Sequence, residues 1–423
     1  MAFSGNSMAG NGTFTNNGNI VFSNNSTASN GTFTNGGTIS FSDASTAGSG
    51  TFLNRGYISF EEESTSSAAN GVFTNESGTL ENLTGGKLEF YHGTTAASGT
   101  ITNNGAAATG ASGGSVTFSQ NSTAGNSTII ANGGTGGGGG GAVYFTEFGR
   151  GGTARIQVYG NGKLDLSGQD GFIAGTTTGS LEGSGNVFLS TRRLAVGSNN
   201  LSTLFSGVIQ DDEEFNSGRL SKIGIGKLTL SGMNTYNGVT TVSAGQLIVN
   251  GSITSATTVD GDAFGGSGTV GSVTVNSLGT LSPGDGAGIL SVIGDLALSL
   301  GATYLVDLNG VAVGTQYDQT NVTGIVSLGD ATLTLSLGFA PVTGNTFTII
   351  NNDGTEQVAG TFNGLLEGAQ ITAGPQAFTI SYQGGTGNDV VLTAAVPEPG
   401  AVVLPALSAV ALGMRRRSTR PVR

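Results

Sequence analysis

Few groups in this sequence could do chemistry, and their types and spacing limit what that chemistry would be. The single histidine, His92, stands in Tyr91-His92-Gly93. As a general base it would need a carboxylate beside it. The densest carboxylate run, Asp211-Asp212-Glu213-Glu214, follows far downstream. Two carboxylates across a glycosidic bond are the chemistry of sugar hydrolysis, but an unbroken acidic run reads first as a solvated loop. Arg192-Arg193 would supply the base of a polysaccharide lyase only beside clustered calcium-binding aspartates, and none lies near it in sequence. Serine and threonine are abundant, yet a nucleophilic hydroxyl needs a positioned base. The segment Gly384-Gly385-Thr386-Gly387-Asn388-Asp389-Val390-Val391-Leu392 fits a nine-residue calcium repeat. It occurs once, whereas that mode of binding takes ligands from adjacent turns, so a structural turn is the preferred reading. No catalytic, cofactor-binding or metal-ligating residue is assigned.

The elements that would have to position such groups are unusual. The 423 residues include 76 Gly, 21 Phe, 7 Pro and no Cys or Trp, and only 10% are charged, against roughly 25% in ordinary domains. Zero Cys excludes disulfides and thiolate metal sites. A net charge of −12 excludes nucleic acid, whose phosphates require a basic face. Such composition also describes disordered chains, but the apolar residues are too regular for that.

Phe3, Phe22, Phe41 and Phe60 recur every 19 residues, and Phe14, Phe33 and Phe52 keep the same spacing. Phe73 follows after 21 residues, then Ile101 and Ile129 at intervals of 28, around insertions such as TLENLTGG and AAATGASGG. Within each unit Ile20/Phe22, Ile39/Phe41, Ile58/Phe60, Leu88/Phe90 and Val116/Phe118 alternate with Val21, Ser40, Ser59, Glu89 and Thr117. That is the period of a strand with one buried face. A 19-residue unit cannot bury its own apolar face and must stack on its neighbours. Coils about 4.8 Å apart would put Phe on Phe in one interior column. Asn16, Asn35, Asn54 and Asn75 fall at equivalent positions, either as a hydrogen-bonded ladder or as ordinary turn residues. Residues 3–12 match the end of a unit, so an upstream portion is expected; MAFSGNSMAG itself has neither the basic nor the apolar region of a secretory signal.

Residues 133–152 are dominated by glycine and read as a loop between two repeat regions; strands, not a helix N-terminus, follow them, which argues against phosphate binding. From Gly218 the chain reads GRLSKIGIGKLTLSGMNTYNGVTTVSAGQLIVNG. Leu220, Lys222, Gly224, Gly226, Leu228, Leu230, Gly232, Asn234, Thr235, Tyr236, Gly238, Thr240, Val242, Gly245 and Leu247 carry a close resemblance to the autotransporter-associated β-strand repeat. The resemblance extends over roughly residues 180–394 and implies a right-handed parallel β-helix displayed outside the cell. The run Tyr91-His92-Gly93 is only faintly similar to the His-Gly pair of helical polygalacturonases. That family's carboxylates precede the pair, here they follow it, and Arg155-Ile156 continues with Gln157 in place of a lysine.

The last residues read VPEPGAVVLPALSAVALGMRRRSTRPVR. Pro397-Glu398-Pro399, an apolar stretch and Arg415-Arg416-Arg417 strongly resemble the PEP-CTERM sorting signal. The resemblance implies recognition by exosortase-type machinery in a Gram-negative envelope. Residues 401–414 would span about 21 Å as a helix, short of the roughly 30 Å membrane core, so transient membrane contact is expected.

The expected fold is all-β: a right-handed parallel β-helix with a β-rich C-terminal module and a short apolar tail. Its divisions are 1–132, the 19-residue-type repeats; 133–152, the Gly-rich loop; 153–300, a β-helix holding the autotransporter-associated repeat at 218–251; 301–394, a capping module; and 395–423, the sorting tail. The expected function is that of an exported, non-enzymatic structural or adhesive protein of the surface or extracellular matrix. Extracellular polysaccharide or other surface proteins are the expected partners, with no cofactor. The alternatives are a polysaccharide-active β-helix enzyme and a calcium-dependent adhesin.

Overall fold

A computed structural model describes residues 1–61, 65–170, 175–212 and 217–396. The described residues form a parallel β-helix closed by an antiparallel cap. Among them no helix is long and apolar enough to cross a membrane.

Each coil has three sides, and the first coils show why. In the unit beginning at Asn19, strand Asn19–Phe22 forms the first side, Thr27 marks the second and Thr32–Asn35 forms the third. Ile20, Phe22, Phe33 and Asn35 point inward and are buried, while the residues between them face out. The corner after the first side turns through a left-handed residue, Gly5, Asn24 or Asp43 in successive coils. Those are the residue types that tolerate this conformation. Asp43 also accepts the Asn24 amide at 2.7 Å, tying one corner to the next.

Stacking is in register. Phe3, Phe22, Phe41 and Phe60 are direct partners on neighbouring first-side strands. Their rings stack at 4.6, 4.8 and 4.7 Å, as the 19-residue period requires, and the column continues through Phe90 and Phe118 to Phe145. A second column, Phe14, Phe33, Phe52 and Phe73, meets the first edge to face, with Phe22 and Phe33 centroids 5.9 Å apart. Each fully buried Phe contributes roughly 1.5–3 kcal/mol of transfer free energy, and each aromatic pair about 0.5–1.5 kcal/mol more.

The asparagines form the ladder. Asn16 Nδ2 donates to Asn35 Oδ1 at 2.7 Å, and the chain of amides runs on through Asn54 and Asn75 to Asn103. The next position is Ala131, so the Asn103 amide has no rung to donate to. Ser59 departs from the outward reading: it is buried, and its Oγ donates to Glu61 at 2.5 Å.

Two boundaries differ from the sequence reading. Within 133–152, Ala142–Phe145 is a regular first-side strand whose Phe145 stacks on Phe118; its alternating Val143 and Phe145 supply the inward face that the surrounding glycines obscure. Nor does the β-helix stop near 300. Thr303–Leu308 and Thr332–Leu337 extend the third side in parallel register, because Tyr304, Val306 and Leu308 continue the inward alternation. Parallel pairing ends at Thr346–Asn352, against which Asp389–Ala395, Gln376–Gly384 and Gln370–Ala373 pair antiparallel. This turn of direction closes a sheet that would otherwise offer an open edge.

Candidate functional site

The residues singled out for chemistry do not come together. His92 is exposed at the corner after strand Lys87–Phe90, and Asp211 follows strand Val208–Gln210 on the same side. Five steps of the sheet separate those strands, about 24 Å at the usual spacing. Asp211 ties its own loop instead: Oδ1 accepts the Gly218 amide and Oδ2 the Asn237 amide, each at 3.0 Å. Burial raises its pKa despite those amides. Glu213 and Glu214 lie outside the described residues. Arg193 stands beside Arg219 on an outer rank, one cation against another.

Asp389 is buried in the hairpin between Gln376–Gly384 and Asp389–Ala395. Its Oδ1 accepts the Asn352 amide at 2.9 Å and its Oδ2 the Thr386 amide at 3.4 Å. Both oxygens are thereby engaged by backbone, which is the work of a turn. Among the described residues no group of three or more His, Asp or Glu is placed to hold a metal ion. The motif residues Pro397, Glu398, Pro399, Arg415, Arg416 and Arg417 lie outside the described residues.

The structure assembles a different site on the outer face of the first side. The insertions at 76–86, 104–114 and 132–141 stack on one another: Ser112 N donates to Leu83 O at 3.0 Å and Gly139 N to Ala111 O at 2.8 Å. Together they make a ledge beside the sheet. Between ledge and sheet runs a groove of about 460 Å³, lined among others by Lys87, Glu89, Thr117, Tyr144, Asn161 and Lys163. Gly85, Gly113 and Gly140 form a bare column along it. A Cβ on any of them would strike the carbonyl oxygen of the next coil, so only glycine allows the ledge to stack.

The side chains in the groove are held in place. Lys163 Nζ lies 4.8 Å from the centre of the Tyr144 ring and 3.1 Å from Asp165 Oδ2. Burial lowers its pKa, but Tyr144 and Asp165 outweigh that and leave the ammonium above its ordinary value. Glu89 accepts the Tyr57 hydroxyl at 2.8 Å and the Tyr91 hydroxyl also, with the two hydroxyls 3.0 Å apart. Burial first, and then the bonds to Tyr91 and Glu89, push Tyr57 far up. Burial and the Glu89 bond push Tyr91 up to about 12 against the opposing effect of Tyr57. Lys87, Ser115, Ala142 and Lys163 are one register column, so the two ammonium groups flank small residues about 14 Å apart in rise. Sequence reasoning did not find this groove. The signal was present in the lengthening of the unit from 19 to 28 residues and in the Gly-Gly pairs before Lys87, Ser115 and Ala142.

Further along, Lys222 points inward with its side chain buried. Its Nζ donates to the carbonyls of Ile223 and Gly224 at 2.7 Å and of Ala244 at 3.0 Å, and burial lowers its pKa to about 8. Asn234 caps the adjoining strand by accepting the Ile209 amide, and the buried Tyr236 hydroxyl meets Thr240 Oγ1 at 2.6 Å. These polar anchors repeat no motif of the phenylalanine coils. Residues 220–249 match the passenger-associated-transport-repeat family. In this repeat Leu220, Leu228, Leu230, Val242 and Leu247 fill the core, and Lys222, Asn234 and Tyr236 satisfy the turns.

Two relatives extend the likeness. An extracellular serine protease of Serratia marcescens is 38% identical over 92 residues, 22% of this chain and 9% of that protein. The adhesin BmaC autotransporter of Brucella suis is 40% identical over 118 residues, 25% of this chain and 3% of the adhesin. The chain thus spans less than a tenth of the length of either relative.

Proposed function

We propose that this chain is a non-enzymatic β-helix of passenger type. It is displayed at the surface or in the extracellular matrix of a Gram-negative bacterium, where it acts as a rigid adhesive or structural rod. The observation that carries the proposal is the third side, one sheet of fifteen parallel strands among the described residues, with a transport-associated repeat inside the stack and an antiparallel cap beyond it. Such a rod is built by each coil packing on its neighbours and holds an outer face away from its base. The Brucella adhesin supports the adhesive reading. It is matched over only 3% of its length and the Serratia protease over 9%, so neither name by itself decides between adhesion and hydrolysis.

Residues 396–423 serve in this proposal as an address read by exosortase-type machinery, with cleavage near Pro397–Pro399. Mass spectrometry of surface protein from a host carrying that machinery should find a C-terminus there. Replacing Arg415, Arg416 and Arg417 by Ser should block the processing, since basic residues hold such a segment in its membrane orientation. Mature protein that kept its arginine-rich end would sink the sorting proposal. Purified chain should leave pectin and alginate intact, and turnover lost in His92→Ala or Asp212→Ala would restore the enzyme reading.

A further inference from the structure

We infer that the groove between the insertion ledge and the first side binds an extended, uncharged oligosaccharide of about three pyranose rings lying along the stack. The inference deepens the adhesive reading of the same face and rests on it for its biological sense.

The argument begins with size and shape. A volume of about 460 Å³ falls in the range of small-ligand sites, roughly 300–1,000 Å³. Its long direction crosses the strands that carry Lys87, Ser115, Ala142 and Lys163, about 14 Å of rise. Hydrogen-bonding side chains therefore recur at one-coil intervals, a repeat close to the advance of a pyranose chain.

Chemistry then selects among extended polymers. A peptide strand would need a free sheet edge, but every strand lining the groove is paired on both sides. A peptide would also want apolar side pockets, and the lining is hydroxyl, amide, ammonium and carboxylate with one aromatic ring, Tyr144. That mixture suits a polyhydroxylated ligand, which needs donors and acceptors together and an aromatic surface against its C–H faces. Charge decides the rest. Lys163 is matched by Asp165, and Lys87 shares the groove with Glu89, whose carboxylate accepts two tyrosine hydroxyls. The site is balanced within a molecule of net charge −12, which repels a polyanion.

Recognition falls to named residues. The Lys163 ammonium covers one face of the Tyr144 ring, so Tyr144 would meet the sugar with its opposite face. Glu89 supplies an acceptor, and Ser115 and Thr117 supply hydroxyls. Asn161 holds the ledge by accepting the Gly134 amide and donating to Gly138 O, and the glycine column lets the sugar approach the backbone of the ledge.

The test is calorimetric titration of the purified full chain with cellotriose, mannotriose and N-acetylchitotriose, with trigalacturonate as the anionic comparator. At least one neutral trimer should bind, with little dependence on salt. Tyr144→Ala should weaken that binding about tenfold, and Tyr144→Phe should retain it. Thr117→Ala, on the outward face of the sheet where its side chain lines the groove, provides a second loss-of-binding variant should Tyr144→Ala misfold. Absence of binding to every neutral trimer at millimolar concentration would overturn the inference. So would binding confined to trigalacturonate, or binding untouched by both variants. Because the measurement uses purified protein, its failure leaves the surface location to be judged separately by the fate of the tail.

Discussion

The coils before Phe145 and those after Gly218 build the same three-sided helix from different materials. The earlier coils repeat one solution: stacked phenylalanines, an asparagine ladder and a corner residue in the left-handed region. The later coils fill the interior with Leu, Val and Ile, and place single polar groups where a turn needs them: Lys222, Asn234, Tyr236, Asp318. In the ladder each amide meets the identical amide one coil away, and insertions lengthen the coils from 19 to 28 residues without moving that position. The later anchors also reach the neighbouring coil, but each bonds backbone groups in place of a copy of itself, as Asn234 does with the Ile209 amide and Asp318 with the Gly288 amide. The lesson is that one backbone geometry tolerates two ways of satisfying its buried polar groups.

The largest effect should come from breaking the repetitive half. Phe41→Asp places an unpaired carboxylate between Phe22 and Phe60 in a fully buried column. Phe→Ala alone costs about 3–5 kcal/mol at such sites, and the buried charge adds to it. Denaturant titration should show the N-terminal coils unfolding ahead of the cap. If the transition is unshifted, the column is not what holds these coils.

Asn54→Ala tests the ladder at its middle. It removes the acceptor of Asn35 Nδ2 and the donor to Asn75 Oδ1 at once. Asn35 Nδ2 keeps Gly37 O and Tyr57 O, but Asn75 Oδ1, the Gly56 amide and Lys87 O each lose the bond Asn54 made. A buried group left unsatisfied costs about 1–3 kcal/mol, so stability should fall well beyond that of an exposed Asn→Ala control. A loss no greater than the control would reduce the ladder to a row of turn residues.

The anchored half should answer to pH where the ladder half does not. Asp318 is buried, and desolvation raises its pKa to about 7 even though it accepts the Gly288 and Asp307 amides at 2.8 Å. Its folded pKa lies above the unfolded value of about 3.9. Its contribution is therefore fully present below about pH 4 and is lost as pH rises through about 7. Scanning calorimetry of wild type against Asp318→Asn should show a stability difference that changes between about pH 4 and 7 and levels off above that. A constant difference would mean the carboxylate is ionised throughout.

The smallest effect is expected at Arg155, whose guanidinium meets Glu182 in two bonds of 2.7 and 2.6 Å on an exposed face. Arg155→Ala should cost no more than about 1 kcal/mol, and less in high salt. A larger loss would show that this bridge, between the two halves, couples them.

The primary sequence by itself determined the strands, the inward columns and the parallel stack. A 19-residue period with alternating Ile and Phe has one way to hide its apolar face. It left the asparagines undecided between ladder and turn, since both use the same residue at the same spacing; in the structure they do both, Asn16 donating to Asn35 one coil on and to Gly18 O in its own turn. Only the tertiary structure could show that Ala142–Phe145 is a strand inside a glycine-rich run, or that His92 and Asp211 sit far apart along the stack. The groove was likewise beyond the sequence. Lys87, Tyr144 and Lys163 are distant in the chain and share no repeat spacing, and they meet because insertions of similar length stack into one ledge. Period fixes what lies inside a coil. What lies across coils on the outside depends on where each insertion folds back, and no local pattern encodes that.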